Sequence, residues 1–121
     1  MKELNFRGAV LFKNNTKLKI VNLRFSEKLK KGQVLVKIKY SGICGKQIDE
    51  IEGVGGKDEF LPHLLGHEGS GVVIGVGPKV NKVKPKDKVV LHWIKGSGLQ
   101  SETPNYFFGK KKNKRWMGHN F

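Results

Sequence analysis

Gly66-His67-Glu68-Gly69-Ser70-Gly71 runs without a break into the apolar stretch Val72-Val73-Ile74-Gly75-Val76, and no other segment constrains the fold as much. Glycines on both sides of an imidazole and a carboxylate let the backbone turn sharply and let other groups come close. A short apolar run after such a turn reads as a buried strand. The segment therefore predicts a turn that presents His67 and Glu68 at the entry of a sheet. Cys44, the only cysteine, lies upstream in a similar setting, Ser41-Gly42-Ile43-Cys44-Gly45. A thiolate, an imidazole and a carboxylate on glycine-relieved turns suit a catalytic zinc, which takes three protein ligands and keeps a fourth position open. Each residue also has a plainer reading: a small buried apolar thiol, a turn histidine, a solvated acid.

The rest of the chain reads as short strands with little helix. Apolar residues at 9–12 and 18–21 flank Asn14-Asn15, a hairpin signal. In 33–40, Val34, Val36, Ile38 and Tyr40 share one face and Lys37 and Lys39 the other, as in a strand with one wet side. Residues 45–52 place Ile48 and Ile51 three apart among acids and end at Gly53, a short amphipathic helix. Strands are also expected at 72–76 and 88–94, with Val34, Val36, Ile38, Val73, Val89 and Leu91 as one core. This pattern predicts a mainly β barrel or sandwich. Residues 96–98 and 103–105 carry loop chemistry.

Charge and composition narrow the function classes. The net charge is +14, from 24 basic and 10 acidic residues, and only Asp87 and Glu102 are acidic after Gly69. Such asymmetry can mark a polyanion partner. Most of the cations, however, are single lysines alternating with apolar residues, as on the wet face of a strand. The run at 110–115 has no repeat or module motif and reads as a solvated tail, so a nucleic-acid partner is disfavoured. No apolar run approaches the roughly 20 residues of a membrane span, and the N-terminus lacks the apolar core of a signal peptide. A single thiol fits a reducing cytoplasm.

Gly66-His67-Glu68 followed by Gly71, Gly77 and Val80 is similar to the signature of the zinc-containing alcohol dehydrogenases, the medium-chain dehydrogenase family. Gly32-Gln33-Val34-Leu35-Val36-Lys37-Ile38, leading into Ser41-Gly42-Ile43-Cys44-Gly45, resembles that family's second strand and first zinc ligand. Val83-Lys84-Pro85-Lys86-Asp87-Lys88-Val89-Val90 resembles its proline-x-aspartate turn. The resemblance runs from about Gly8 to Trp93. It implies a GroES-like β-barrel with short helices over 1–95, incomplete as it stands, with 96–121 as loop and basic tail. It also implies zinc on Cys44 and His67, a small alcohol or polyol as substrate, and NAD or NADP as hydride acceptor.

The departures from that family matter as much. These residues contain no dinucleotide-binding glycine fingerprint, so no NAD or NADP site is expected within them, and a chain that supplies the cofactor domain becomes a candidate partner. No cysteine follows Trp93, which excludes the family's four-cysteine structural zinc from this stretch. A third zinc ligand must be Glu68 or another histidine such as His92. Adjacent residues of an extended segment point to opposite sides, which favours Glu68 as a neighbour of the ion or an exchangeable ligand. If Cys44 and His67 hold one zinc, their donor atoms lie about 3–4.5 Å apart, given bonds of about 2.0–2.3 Å. Lys46 stands where the family usually has the serine or threonine that takes the hydroxyl proton, with Asp49 as a second relay group. Lys86 stands where the family's turn has glycine. The expected function is the zinc- and alcohol-binding part of an alcohol dehydrogenase, inactive alone. The alternatives are a basic β-barrel module for RNA or acidic partners, recognisable by salt-dependent binding, and an inactive truncated product.

Overall fold

The computed structural model describes residues 3–26, 28–59, 61–94, 96–108 and 115–117. They form a mainly β fold with one helix, in the order β1 (Glu3–Leu11), β2 (Lys19–Ser26), β3 (Val34–Ser41), α1 (Gly45–Glu52), β4 (His63–Leu64), β5 (Gly69–Val76), β6 (Lys88–Leu91), β7 (Asn105–Phe108) and β8 (Arg115–Met117). Two sheets result, one ordered β4-β1-β2-β7-β8 and the other β3-β5-β6.

The first sheet grows from the expected hairpin. β1 and β2 pair antiparallel from Glu3↔Ser26 to Val10↔Lys19. The reversal between them includes Asn15 at φ 58°, a left-handed position that asparagine tolerates better than most residues. Val10 and Leu23 are fully buried, with Phe6, Phe12, Val21, Leu64 and Phe108 packed around them. β7 adds to β2 through Leu23↔Phe108. Its Tyr106 meets Phe6 edge-on at a centroid distance of 5.3 Å and Phe25 at 6.1 Å. Burial raises the Tyr106 pKa above the ordinary 10.0, because an apolar setting disfavours phenolate. β7 and β8 both fall in the 96–121 stretch that was expected as loop and tail. Residues 110–114 of the basic run lie outside the described residues.

The second sheet departs from the expected core. β5 pairs with β3 from Val34↔Val76 to Ser41↔Gly69, with register shifts at Leu35/Val36 and Ile38/Tyr40. It pairs with β6 from Gly69↔Leu91 to Val72↔Lys88. The first shift skips Ile74 of β5 and the second skips Lys39 of β3, so along β3 the alternation of Val34, Val36 and Ile38 is interrupted only before Tyr40. Val73 is 1% exposed and belongs to the core, but Val34 is 38% and Ile38 48% exposed. Those two are corrections to the single core expected from alternation alone. β6 also ends at Leu91, short of the expected 94.

The turn into β6 has the form of a type II turn. Pro85 is its second residue, and Lys86 its third, at φ 81°. Asp87 N–H donates to the Lys84 carbonyl at 3.1 Å, and Lys86 N–H donates to the Val73 carbonyl at 2.8 Å. The Asp87 carboxylate accepts from Lys84 N–H at 3.0 Å and from Lys84 Nζ at 3.1 Å. These bonds, the backbone one first, hold the Asp87 pKa below its ordinary 3.8.

Three measurements test this account. In urea unfolding, Leu23→Ala should cost about 2–5 kcal/mol, because it empties a fully buried site, whereas Val34→Ala should cost under about 1 kcal/mol. Lys86→Gly should stabilise the fold by about 1 kcal/mol, because it removes a left-handed conformation that a Cβ disfavours. The Asp87 contribution should be present above pH 3.8 and lost as pH falls through its lower folded value. Carboxyl-carbon NMR of Asp87 should therefore show a midpoint below 3.8.

Candidate metal centre

The three site residues converge because two strand ends are tied together. Ser41 closes β3 opposite Gly69, which opens β5. The tie extends one residue outward, where Gly42 N–H donates to the Glu68 carbonyl at 3.2 Å. The segment after β3 and the segment before β5 therefore leave the sheet side by side. The first carries Cys44 and the second His67 and Glu68.

Each segment has a local reason for its course. Cys44 is the N-cap of α1, extended at φ −112° and ψ 165°. Gln47, 6% exposed, fixes the start of the helix. Its Oε1 accepts from Cys44 N–H at 3.3 Å. Its own N–H donates to the Cys44 carbonyl at 3.1 Å. The sulfur thus sits at the positive end of a helix, which favours a negatively charged ligand. The helix stops at Gly53, left-handed at φ 72°. On the other segment Gly66 adopts φ 132°, a conformation open essentially to glycine alone. That bend turns His67 and Glu68 toward the thiol.

Cys44 Sγ and His67 Nε2 lie 2.8 Å apart, in direct hydrogen-bond contact. The spacing is tighter than the 3–4.5 Å expected from two zinc bonds of about 2.0–2.3 Å. One donor atom each from Cys44, His67 and Glu68 all fall within 4.8 Å of one another, and all three residues are half-buried. The carboxylate reaches the pair by lying across Gly42. A Cβ there would come within 2.9 Å of Glu68 Cδ and collide with Oε1. The donor set is one that zinc accepts, and a backbone left bare of side chain cradles its third member.

The remaining candidates are not members of this cluster. Lys46 and Asp49 are exposed on α1, and neither belongs to the group of converging donors among the described residues. His92 is exposed just beyond β6, and its Nδ1 accepts from Ile94 N–H at 3.2 Å. The sequence reading missed a second polar group. His63 Nδ1 and Asp58 Oδ2 lie 2.7 Å apart, with side chains 3% and 5% exposed. A histidine inside Leu-Pro-His-Leu-Leu, with an acid five residues earlier, was the available signal.

Residues 30–119 match the family model of the alcohol dehydrogenase GroES-like domain. The chain belongs to that family. The curated relatives are of the same kind. The chain is 43% identical over 84 residues to an S-(hydroxymethyl)glutathione dehydrogenase of Photobacterium damsela subsp. piscicida, covering 69% of this chain and 22% of that protein. It is 40% identical over 92 residues to the Escherichia coli O6:H1 protein of the same name, covering 76% and 24%. A crystal structure of an alcohol dehydrogenase zinc-binding domain protein from Burkholderia ambifaria superposes with a TM-score of 0.64 at 27% identity, covering 72% of this chain and 23% of that one. The chain thus spans about a quarter of the length of the proteins it resembles.

Gly42→Ala should cost about 1–3 kcal/mol in chemical denaturation, because the new methyl must displace Glu68. In a Glu68→Ala background the same change should be close to neutral, so a double-mutant cycle isolates the contact.

Proposed function

We propose that this chain is the metal- and alcohol-holding part of a zinc-dependent, NAD(P)-linked alcohol dehydrogenase, with Cys44 and His67 as zinc ligands and Glu68 as their exchangeable third member. The observation that carries the reading is the convergence of those three donors within 4.8 Å, in a chain that belongs to the alcohol dehydrogenase GroES-like family. Zinc bound there would supply Lewis-acid polarisation of an alcohol oxygen.

The chain's own residues orient that chemistry. Gln47 fixes the thiol at the start of α1, the Gly66 bend aims the imidazole, and Gly42 leaves room for the carboxylate. Lys46 and Asp49, on the solvent side of α1, are the groups proposed to pass the substrate proton outward. Small alcohols and polyols, the class that the zinc reading implies, and the S-(hydroxymethyl)glutathione of the relatives' names both belong in a substrate panel. The 121 residues contain no dinucleotide glycine fingerprint. Assayed alone with zinc, NAD or NADP and that panel, they should produce no reduced nicotinamide.

Zinc titration followed by a chromophoric chelator tests the site directly. The unaltered chain should bind one zinc, Cys44→Ser and His67→Ala should each weaken binding more than tenfold, and Glu68→Gln should weaken it less. Removing zinc should also leave Cys44 open to alkylation that zinc suppresses. Equal binding by all four proteins would remove the metal reading. Binding of RNA or heparin that falls steeply with salt, in the absence of zinc binding, would support the basic-module alternative.

A further inference from the structure

We infer that Asn14, Asp58 and His63 form a positioning network that sets the separation of Cys44 and His67, an inference that rests on the zinc reading above. None of the three belongs to the metal cluster. Together they join the far ends of the two segments that carry it.

The first segment is α1, with Cys44 at its N-cap and Gly53 at its C-cap. Its last turn is held from outside. Asn14 Nδ2 donates to the Glu50 carbonyl at 2.8 Å. The adjacent Asn15 N–H donates to the Ile51 carbonyl at 2.7 Å. The last carbonyls of a helix lack partners within it, so these two bonds fix the C-terminal end of α1 to the β1–β2 turn.

The second segment begins at Asp58 and runs through β4 to His67. It is held by the same asparagine, whose Oδ1 accepts from Asp58 N–H at 3.0 Å. The Asp58 carboxylate then accepts from His63 Nδ1 at 2.7 Å, both side chains nearly sealed from water. His63 is itself paired to Leu11 of β1. From there only Leu64, Leu65 and Gly66 separate it from His67.

One asparagine therefore uses its donor and its acceptor to tie the two segments together, and the buried hydrogen bond between Asp58 and His63 carries the tie into the strand that leads to the metal ligand. At the near end the segments are joined by the Gly42–Glu68 bond. With both ends closed, the thiol and imidazole have little freedom to separate. Loss of His63 would remove this buried contact between the Asp58 carboxylate and the first residue of β4, and with it the side-chain tie into that strand.

The test measures zinc affinity by chelator competition, together with the visible d–d bands of the Co2+-loaded protein, which report ligand geometry. His63→Leu and Asn14→Ala should each weaken zinc binding about tenfold to a hundredfold, the range seen for partners that orient metal ligands. Both should alter the Co2+ spectrum. His63→Asn, which keeps a donor near the Nδ1 position, should stay within about threefold of the unaltered chain and preserve its spectrum. Leu23→Ala, which loosens the core elsewhere, should leave the spectrum of its folded fraction unchanged. Should His63→Leu yield no folded protein, Asn14→Asp reads the same tie by replacing the donor to Glu50 with a repelling oxygen. Zinc bound by the unaltered chain and equally by the Asn14 and His63 variants, with identical spectra, overturns this inference alone. No zinc bound by the unaltered chain overturns the metal reading and this inference with it.

Discussion

The antiparallel pairing of Ser41 with Gly69 is the constraint on which the rest of the site depends. It fixes where two segments leave the sheet, and the ligand spacing follows from the few residues beyond it. Cys44 is three residues past Ser41, and His67 is two before Gly69. Register in a sheet is all-or-none, since a slip by one residue sends every side chain to the other face. Pairing therefore brings together a thiol and an imidazole that are far apart in sequence, and their own 2.8 Å contact follows from it.

Local chemistry then does the fine aiming. A helix start, a left-handed glycine and a glycine left bare beneath a carboxylate each remove one degree of freedom. The first two act on direction and the third on space. Membership in the alcohol dehydrogenase GroES-like family accords with this division of labour. The matched region holds the metal-binding candidates and a β framework, and it spans about a quarter of the curated relatives.

Much of this was legible in the sequence, and the exceptions have identifiable causes. The glycines around His67 and Cys44 announced turns that bring donors together, and Gly53 announced the end of α1, because each signal is local. The position at Lys86 was also readable, as one where the family's turn has glycine, and its φ is 81°. The burial of Val34 and Ile38 was misjudged because alternation assigns residues to a common face but does not say what covers that face, and these two stay 38% and 48% exposed. β4 has two residues, too few for any period, and exists only because β1 offers it an edge. β7 was missed for a related reason. Tyr106 and Phe108 have strand character, but four residues among turn formers acquire a partner only when Phe6, Phe25 and Leu23 are already in place. The Asp58–His63 pair was invisible because burial, which gives it meaning, comes from tertiary packing.

The stretch between Gly53 and Asp58 is the counterpart of all this fixation. A side chain added at Gly55 or Gly56 would meet nothing within 4 Å, and Val54 is 70% exposed. Its two ends are anchored by bonds to Asn14 rather than by the loop itself. Doubling such a loop costs only about 0.6 kcal/mol in closure entropy. This is accordingly the place to splice in a peptide tag or a reporter dye, where the added chain would hang in solvent without disturbing the thiol and imidazole on the far side of α1.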